Sequence, residues 1–235
     1  MNQRALFSEF RRAFGVIRKM TRRRLPVRHS VDYATHVPIL VGVGCSSGIA
    51  RILEFGAGFY STLTFLNRAA FPDVTSVSTI ESDPDWISKI GAAAKDDPRL
   101  TIRYAPEPVE SILPELDLAQ YDLILVDSST DAARRAALVR ELAARSDGTG
   151  LVVIHDFEVD LYRWASKGFA NRIDYPEFNP GTGILWHAKR DGVKKTLKSI
   201  KRIISRHAKR LPPDDVESWA AAFRKELLFV PQRGR

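Results

Sequence analysis

A carboxylate and a pair of glycines carry the first chemical signal in this chain. Glu54 stands just ahead of Gly56, and Gly58 follows across Ala57. Glycine leaves no side chain where a ligand must approach the backbone, and it adopts angles closed to other residues. The run before the turn, Arg51 to Phe55, reads as a short apolar strand, and Leu63 to Leu66 starts a helix. Ser61 or Thr62 can accept the free N–H groups at that helix start. A strand, a glycine turn and a helix N-terminus together suit a nucleotide-like ligand. Glu54 would repel a pyrophosphate but suits a cation such as an ammonium or sulfonium. The dinucleotide fingerprint also wants a third glycine, where Ser61 stands.

A second set of polar residues recurs at the ends of apolar runs. Glu81 closes the run from Val74, and a carboxylate there can accept hydrogen bonds from ribose hydroxyls. Asp127 closes Tyr121-Asp-Leu-Ile-Leu-Val, and His155-Asp156 closes Gly150-Leu-Val-Val-Ile. Open α/β sheets bind ligands at the carboxyl ends of their strands, so these groups should share a cleft with Gly56. His155 titrates near neutral pH and suits a general base.

The elements that must position these groups alternate regularly. Strands are expected at 51–55, 74–80, 100–104, 121–127 and 150–156, separated by helices at 84–94, 109–116 and 131–145. After a helix at 161–167, runs at 169–175 and 183–187 flank a turn-rich linker and read as a hairpin-type pair. The pattern predicts an α/β fold. Its doubly wound seven-stranded sheet is mostly parallel with an antiparallel edge hairpin, and helical extensions stand at both ends. Residues 1–28 form a basic amphipathic extension, 29–190 the sheet domain, and 191–235 a basic and amphipathic C-terminal extension.

The acidic residue followed by x-Gly-x-Gly, here Glu54 to Gly58, resembles the first motif of the class I S-adenosylmethionine-dependent methyltransferases. The resemblance covers about residues 45–190 and extends to the count and order of elements. It implies S-adenosylmethionine as cofactor, held by Glu54, Gly56, Ala57, Gly58, Ser61 and Thr62. It places Glu81 on the ribose and Ser82 on the adenosine rim. Ala105 stands where an Asp is common after the third strand, so adenine contacts fall to backbone near Ala105 or to Glu107. Asp127, His155 and Asp156 become the catalytic candidates. In catechol and caffeoyl-CoA type O-methyltransferases, acidic residues at these two strand ends bind a divalent metal. Here His155-Asp156 replaces the usual Asp-Asn pair, so the preferred reading assigns no metal ligands and gives His155 the base role. Thr35 and His36 fall in a connector which in similar enzymes closes over the ligand, although a surface histidine is the plainer reading.

Composition sets the surroundings. The hydrophobic fraction of 44% is that of a globular chain. One cysteine, Cys45, precludes an internal disulfide and fits a reducing compartment. No apolar run reaches the roughly 20 residues of a membrane span, and the basic N-terminus lacks a signal-peptide core. A cytoplasmic enzyme is expected. The net charge of +8 divides unevenly: +8 over residues 1–28, −9 over 29–188 and +9 over 189–210. Both basic arms carry an apolar stripe, Leu6-Phe10-Phe14-Ile17 and Val193-Leu197-Ile200-Ile204. Such stripes need burial in lipid, in a partner or second subunit, or on the body. Docking on an anionic membrane surface is preferred over nucleic acid, which needs no apolar stripe.

The expected activity is methyl transfer to a small or surface-bound acceptor, with a hydroxyl as the acceptor group. The rivals are a non-catalytic adaptor that keeps the fold and a nicotinamide-dependent oxidoreductase. An RNA methyltransferase is disfavoured because Asp127-Ser-Ser-Thr130 stands where an Asn/Asp-Pro-Pro motif would be needed.

Overall fold

Seven strands form one sheet in the order β3-β2-β1-β4-β5-β7-β6. The computed structural model describes residues 31–106, 109–128, 131–145, 150–187 and 192–227. The first arm and Glu107 lie outside these residues. Strands β1 (Arg51–Phe55), β2 (Ser76–Glu81), β3 (Leu100–Tyr104), β4 (Leu123–Val126) and β5 (Leu151–His155) are parallel. The hairpin strands β6 (Asn171–Tyr175) and β7 (Thr182–Trp186) add antiparallel pairings at the β5 edge. This is the doubly wound sheet with an antiparallel edge that the alternation predicts. Strands β4 and β5 are buried along their whole length, as central parallel strands covered on both faces must be. Alternate residues serve the two faces: Ile52 and Leu123 join one core, Leu53 and Ile124 the other.

The helices among the described residues are α1 (Val37–Ser47), α2 (Thr62–Leu66), α3 (Pro84–Ala94), α4 (Ala132–Arg145), α5 (Asp160–Ala165), α6 (Val193–His207) and α7 (Val216–Leu227). Helix α1 corrects the expectation of a connector over residues 29–50. Pro38 lies in its first turn and Gly48 ends it in a left-handed conformation. Its residues from Val37 to Gly44 are all buried, so it shows no amphipathic period to read. Gly42 permits this: a Cβ there would meet Ile200 at 2.7 Å and Phe223 at 2.8 Å.

Those contacts come from α6 and α7, which pack on α1 over one face of the sheet. Leu197, Ile200 and Ile204 belong to this core, and each stabilises by about 1.5–3 kcal/mol if fully buried. Of the three burial partners expected for the second apolar stripe, the body takes it. The outward face of α6 keeps Lys194, Lys195, Lys198, Arg202 and Arg206 exposed. No helix among the described residues is long and apolar enough to cross a membrane.

Candidate functional site

The glycine turn leaves β1 where the sheet core ends. Gly56 has φ +92°, and a Cβ added to it would lie 2.5 Å from the Asp127 carbonyl oxygen and 2.8 Å from Ser128 Cα. A side chain is excluded there by backbone, so this glycine locks the first strand end against the fourth. Gly58 has no such left-handed angle; a Cβ there would meet the Ser61 hydroxyl at 2.7 Å.

Glu54 lies beneath the turn, fully buried, rather than on its open side. The hydroxyls of Thr62 and Thr79 both donate to its Oε2 at 2.7 Å, and Thr79 faces it directly across β1 and β2. Burial pushes the Glu54 carboxyl up to about 7 against these hydroxyl donors. Thr62 does not cap its helix as expected. Its Oγ1 accepts the Gly58 N–H at 3.0 Å, so carboxylate, hydroxyl and turn form one chain. Ser61 is buried at the N-cap position of α2 without a side-chain capping bond.

Glu81 ends β2 beside this turn. Its Oε2 accepts the Ala57 N–H at 2.9 Å, and its Oε1 accepts those of Ser82 at 2.6 Å and Asp83 at 2.9 Å. The Ser82 hydroxyl also meets Oε1, at 3.4 Å, so the donors crowd Oε1 while Oε2 takes the Ala57 N–H alone and keeps a second lone pair for a hydroxyl. Ala105 is buried at the end of β3, its N–H donating to the Glu81 carbonyl at 2.9 Å. Trp86 is half-buried beside the same turn. Its indole N–H donates to the Ala57 carbonyl at 2.5 Å, and its ring packs edge-on to Phe59.

At the ends of β4 and β5 the polar groups converge. His155 Nδ1 lies 3.2 Å from Asp127 Oδ2, and its Nε2 lies 2.9 Å from the Thr35 hydroxyl. Burial alone would lower the His155 pKa, but the Asp127 and Asp156 carboxylates outweigh it and hold it above its ordinary value. Burial would likewise raise Asp127, yet His155 and the Arg135 guanidinium hold it at about 2. His36, read as a surface residue, is 2% exposed and stacks edge-on to His155 with ring centroids 4.6 Å apart. Burial, aided by the His155 charge, pushes its imidazole down to about 3, so it is neutral. Both His155 nitrogens are engaged. A proton can leave or reach it only through Asp127 or Thr35, which narrows the base role expected for it.

Arg135, in the first turn of α4, completes the cluster and was missed in the sequence. Its Nη1 lies 2.8 Å from Asp156 Oδ2, its Nη2 3.3 Å from Asp127 Oδ1, and its Nε donates to the Ser128 carbonyl at 2.7 Å. Asp156 aims at it from a left-handed backbone, φ +57°, a conformation worth on the order of 1–3 kcal/mol of strain in a non-glycine residue. The Asp127–Asp156 pair, matched above to the metal ligands of some O-methyltransferases, therefore holds a guanidinium and does not fit a divalent ion between its carboxylates. His187 stands apart: it stacks on Phe169 and meets the Ala143 carbonyl at 2.9 Å.

The strand order with its antiparallel edge is a fold shared with class I S-adenosylmethionine-dependent methyltransferases. Among solved structures, spermidine synthase from Thermotoga maritima superposes with a TM-score of 0.52 at 15% identity, over 68% of this chain and 62% of its own. The SAH-bound methyltransferase PaMTH1 of Podospora anserina superposes with a TM-score of 0.50 at 16% identity, over 80% of this chain and 97% of its own. The chain thus spans less than two thirds of the synthase's length. No protein-family model and no curated protein matches the chain.

Proposed function

We propose that this chain is an S-adenosylmethionine-dependent methyltransferase acting on a hydroxyl of a small acceptor. The observation that carries the reading is the Glu81 carboxylate. It is fixed by three N–H groups and the Ser82 hydroxyl beside the Gly56–Gly58 turn, and its Oε2, which takes only the Ala57 N–H, keeps a lone pair that suits a ribose hydroxyl. Trp86 walls the same turn and suits an adenosyl group lying across it.

The acceptor side falls to Asp127, His155 and Asp156. The sulfonium supplies its own leaving group, so the protein must align the acceptor and remove its proton. A hydroxyl needs that removal, and Asp127 with His155 forms a proton-holding pair 3.2 Å apart. Arg135 pairs with both carboxylates, and two acidic groups facing the acceptor side favour a neutral acceptor over an anionic one. The test is methyl transfer from labelled S-adenosylmethionine to a panel of hydroxyl- and amine-bearing small molecules. Transfer to hydroxyls is expected. Transfer only to amines overturns the acceptor assignment, and tight cofactor binding without any transfer favours the adaptor reading.

A further inference from the structure

We propose that His36, Asp127 and His155 form a binding site for one divalent transition-metal ion of the zinc type, separate from the Asp127–Asp156 pair that Arg135 occupies. One ligand atom from each of the three lies within 4.8 Å of the others. An independent observation points the same way. Both ring nitrogens of His36 are buried without a hydrogen-bond partner, in a residue only 2% exposed. Buried imidazoles ordinarily satisfy their nitrogens, because water can no longer do so. A neutral imidazole offering a free lone pair toward a second imidazole and a carboxylate is what a metal ligand requires.

The flanking groups are also in place. His155 Nε2 faces the Thr35 hydroxyl at 2.9 Å, so an Nε2–H donated there leaves the Nδ1 lone pair for the ion. Asp127 divides its oxygens, with Oδ2 toward His155 and Oδ1 toward Arg135. The same carboxylate can thus answer the guanidinium on one side and the ion on the other. Binding displaces the proton shared by His155 Nδ1 and Asp127 Oδ2 and releases it to solvent.

Donor chemistry sets the kind of ion. Two imidazoles and one carboxylate suit zinc and its transition-metal neighbours, whereas magnesium and calcium prefer all-oxygen sites. Three protein ligands leave a fourth position for water or an acceptor oxygen. An acceptor hydroxyl in that position would lose its proton more readily. Only this last consequence rests on the methyltransferase reading; the binding does not.

The test uses the full-length chain stripped of metal by chelation, then titrated with Zn²⁺ and with Co²⁺ as a spectroscopic probe. Uptake of one ion per chain is expected, with the visible absorption of low-coordinate Co²⁺. His36→Ala and Asp127→Asn should each weaken binding by more than about 100-fold, and Thr35→Val by about tenfold. His187→Ala should bind as the wild type does, and excess Mg²⁺ should not compete. His36→Gln, nearer in size, carries the same expectation should the alanine variant fail to fold. No uptake of either ion, or unchanged affinity in a folded His36 variant, overturns the proposal. S-adenosylmethionine binding measured on the same stripped protein reads the cofactor half separately.

Discussion

The two halves of the site are built on opposite electrostatic plans. Around the glycine turn, each carboxylate is answered by neutral donors: two hydroxyls for Glu54, three backbone N–H groups for Glu81. At the ends of β4 and β5, Asp127 and Asp156 are answered by a guanidinium and an imidazole. Dipoles that cannot move suit a half that must hold one ligand in one pose. Mobile protons and paired charges suit a half that must change the state of its ligand. Gly56 joins the two, since its bare Cα is what lets the turn lie against Asp127 and Ser128.

The largest break in this comparison should come from that junction. Gly56→Val puts atoms into the Asp127 carbonyl from a left-handed backbone, and a loss of about 4 kcal/mol or more is expected in denaturant unfolding. Near wild-type stability would mean the two halves are not locked there.

Glu54 tests the dipole-held half through pH. Its folded value is raised from 4.5 to about 7, so the folded protein holds a proton that the unfolded chain releases. The contribution is most favourable below pH 4.5, falls as pH rises to about 7 and is flat above. The fall amounts to at most about 3 kcal/mol. Glu54→Gln should remove this slope from melting temperatures measured between pH 5 and pH 8. An identical slope in the variant would show that other groups set it.

Asp127→Asn separates the halves functionally. Once an acceptor is known, kcat should fall by about 100-fold while cofactor affinity changes by less than about threefold. Equal losses in both would merge the two halves into one. The smallest effect is reserved for Trp86→Phe, which removes the N–H bond to Ala57 but keeps an aromatic ring. A cost of about 1 kcal/mol in cofactor affinity is expected by calorimetry, with kcat unaltered.

The half around the glycine turn was the legible one. Glu54, Gly56, Gly58 and Glu81 sit next to one another along short stretches, and strand ends can be read from apolar runs that stop. The charged half is assembled from four separate elements, and that is where the sequence reading thinned. Arg135 looked like one more cation in an Ala/Arg-rich helix, and only the packing of α4 turns it toward two strand ends. His36 looked exposed because α1 carries no polar face to mark it as a helix. Its signals were Pro38 at the start and Gly48 at the end of eleven helical residues, of which Val37 to Gly44 are buried against α6, α7 and the segment around Phe71. The basic face of α6 was plain in the sequence, whereas the destination of its apolar stripe depended on what lay beneath.

Calorimetric titration of the full-length protein with S-adenosylmethionine, set beside NAD and the Glu81→Ala variant, tests the central claim most directly. One molecule of S-adenosylmethionine should bind per chain, NAD should give no comparable heat, and Glu81→Ala should weaken the affinity by at least about tenfold. Tight binding of NAD, or S-adenosylmethionine affinity untouched by loss of the Glu81 carboxylate, would contradict the account.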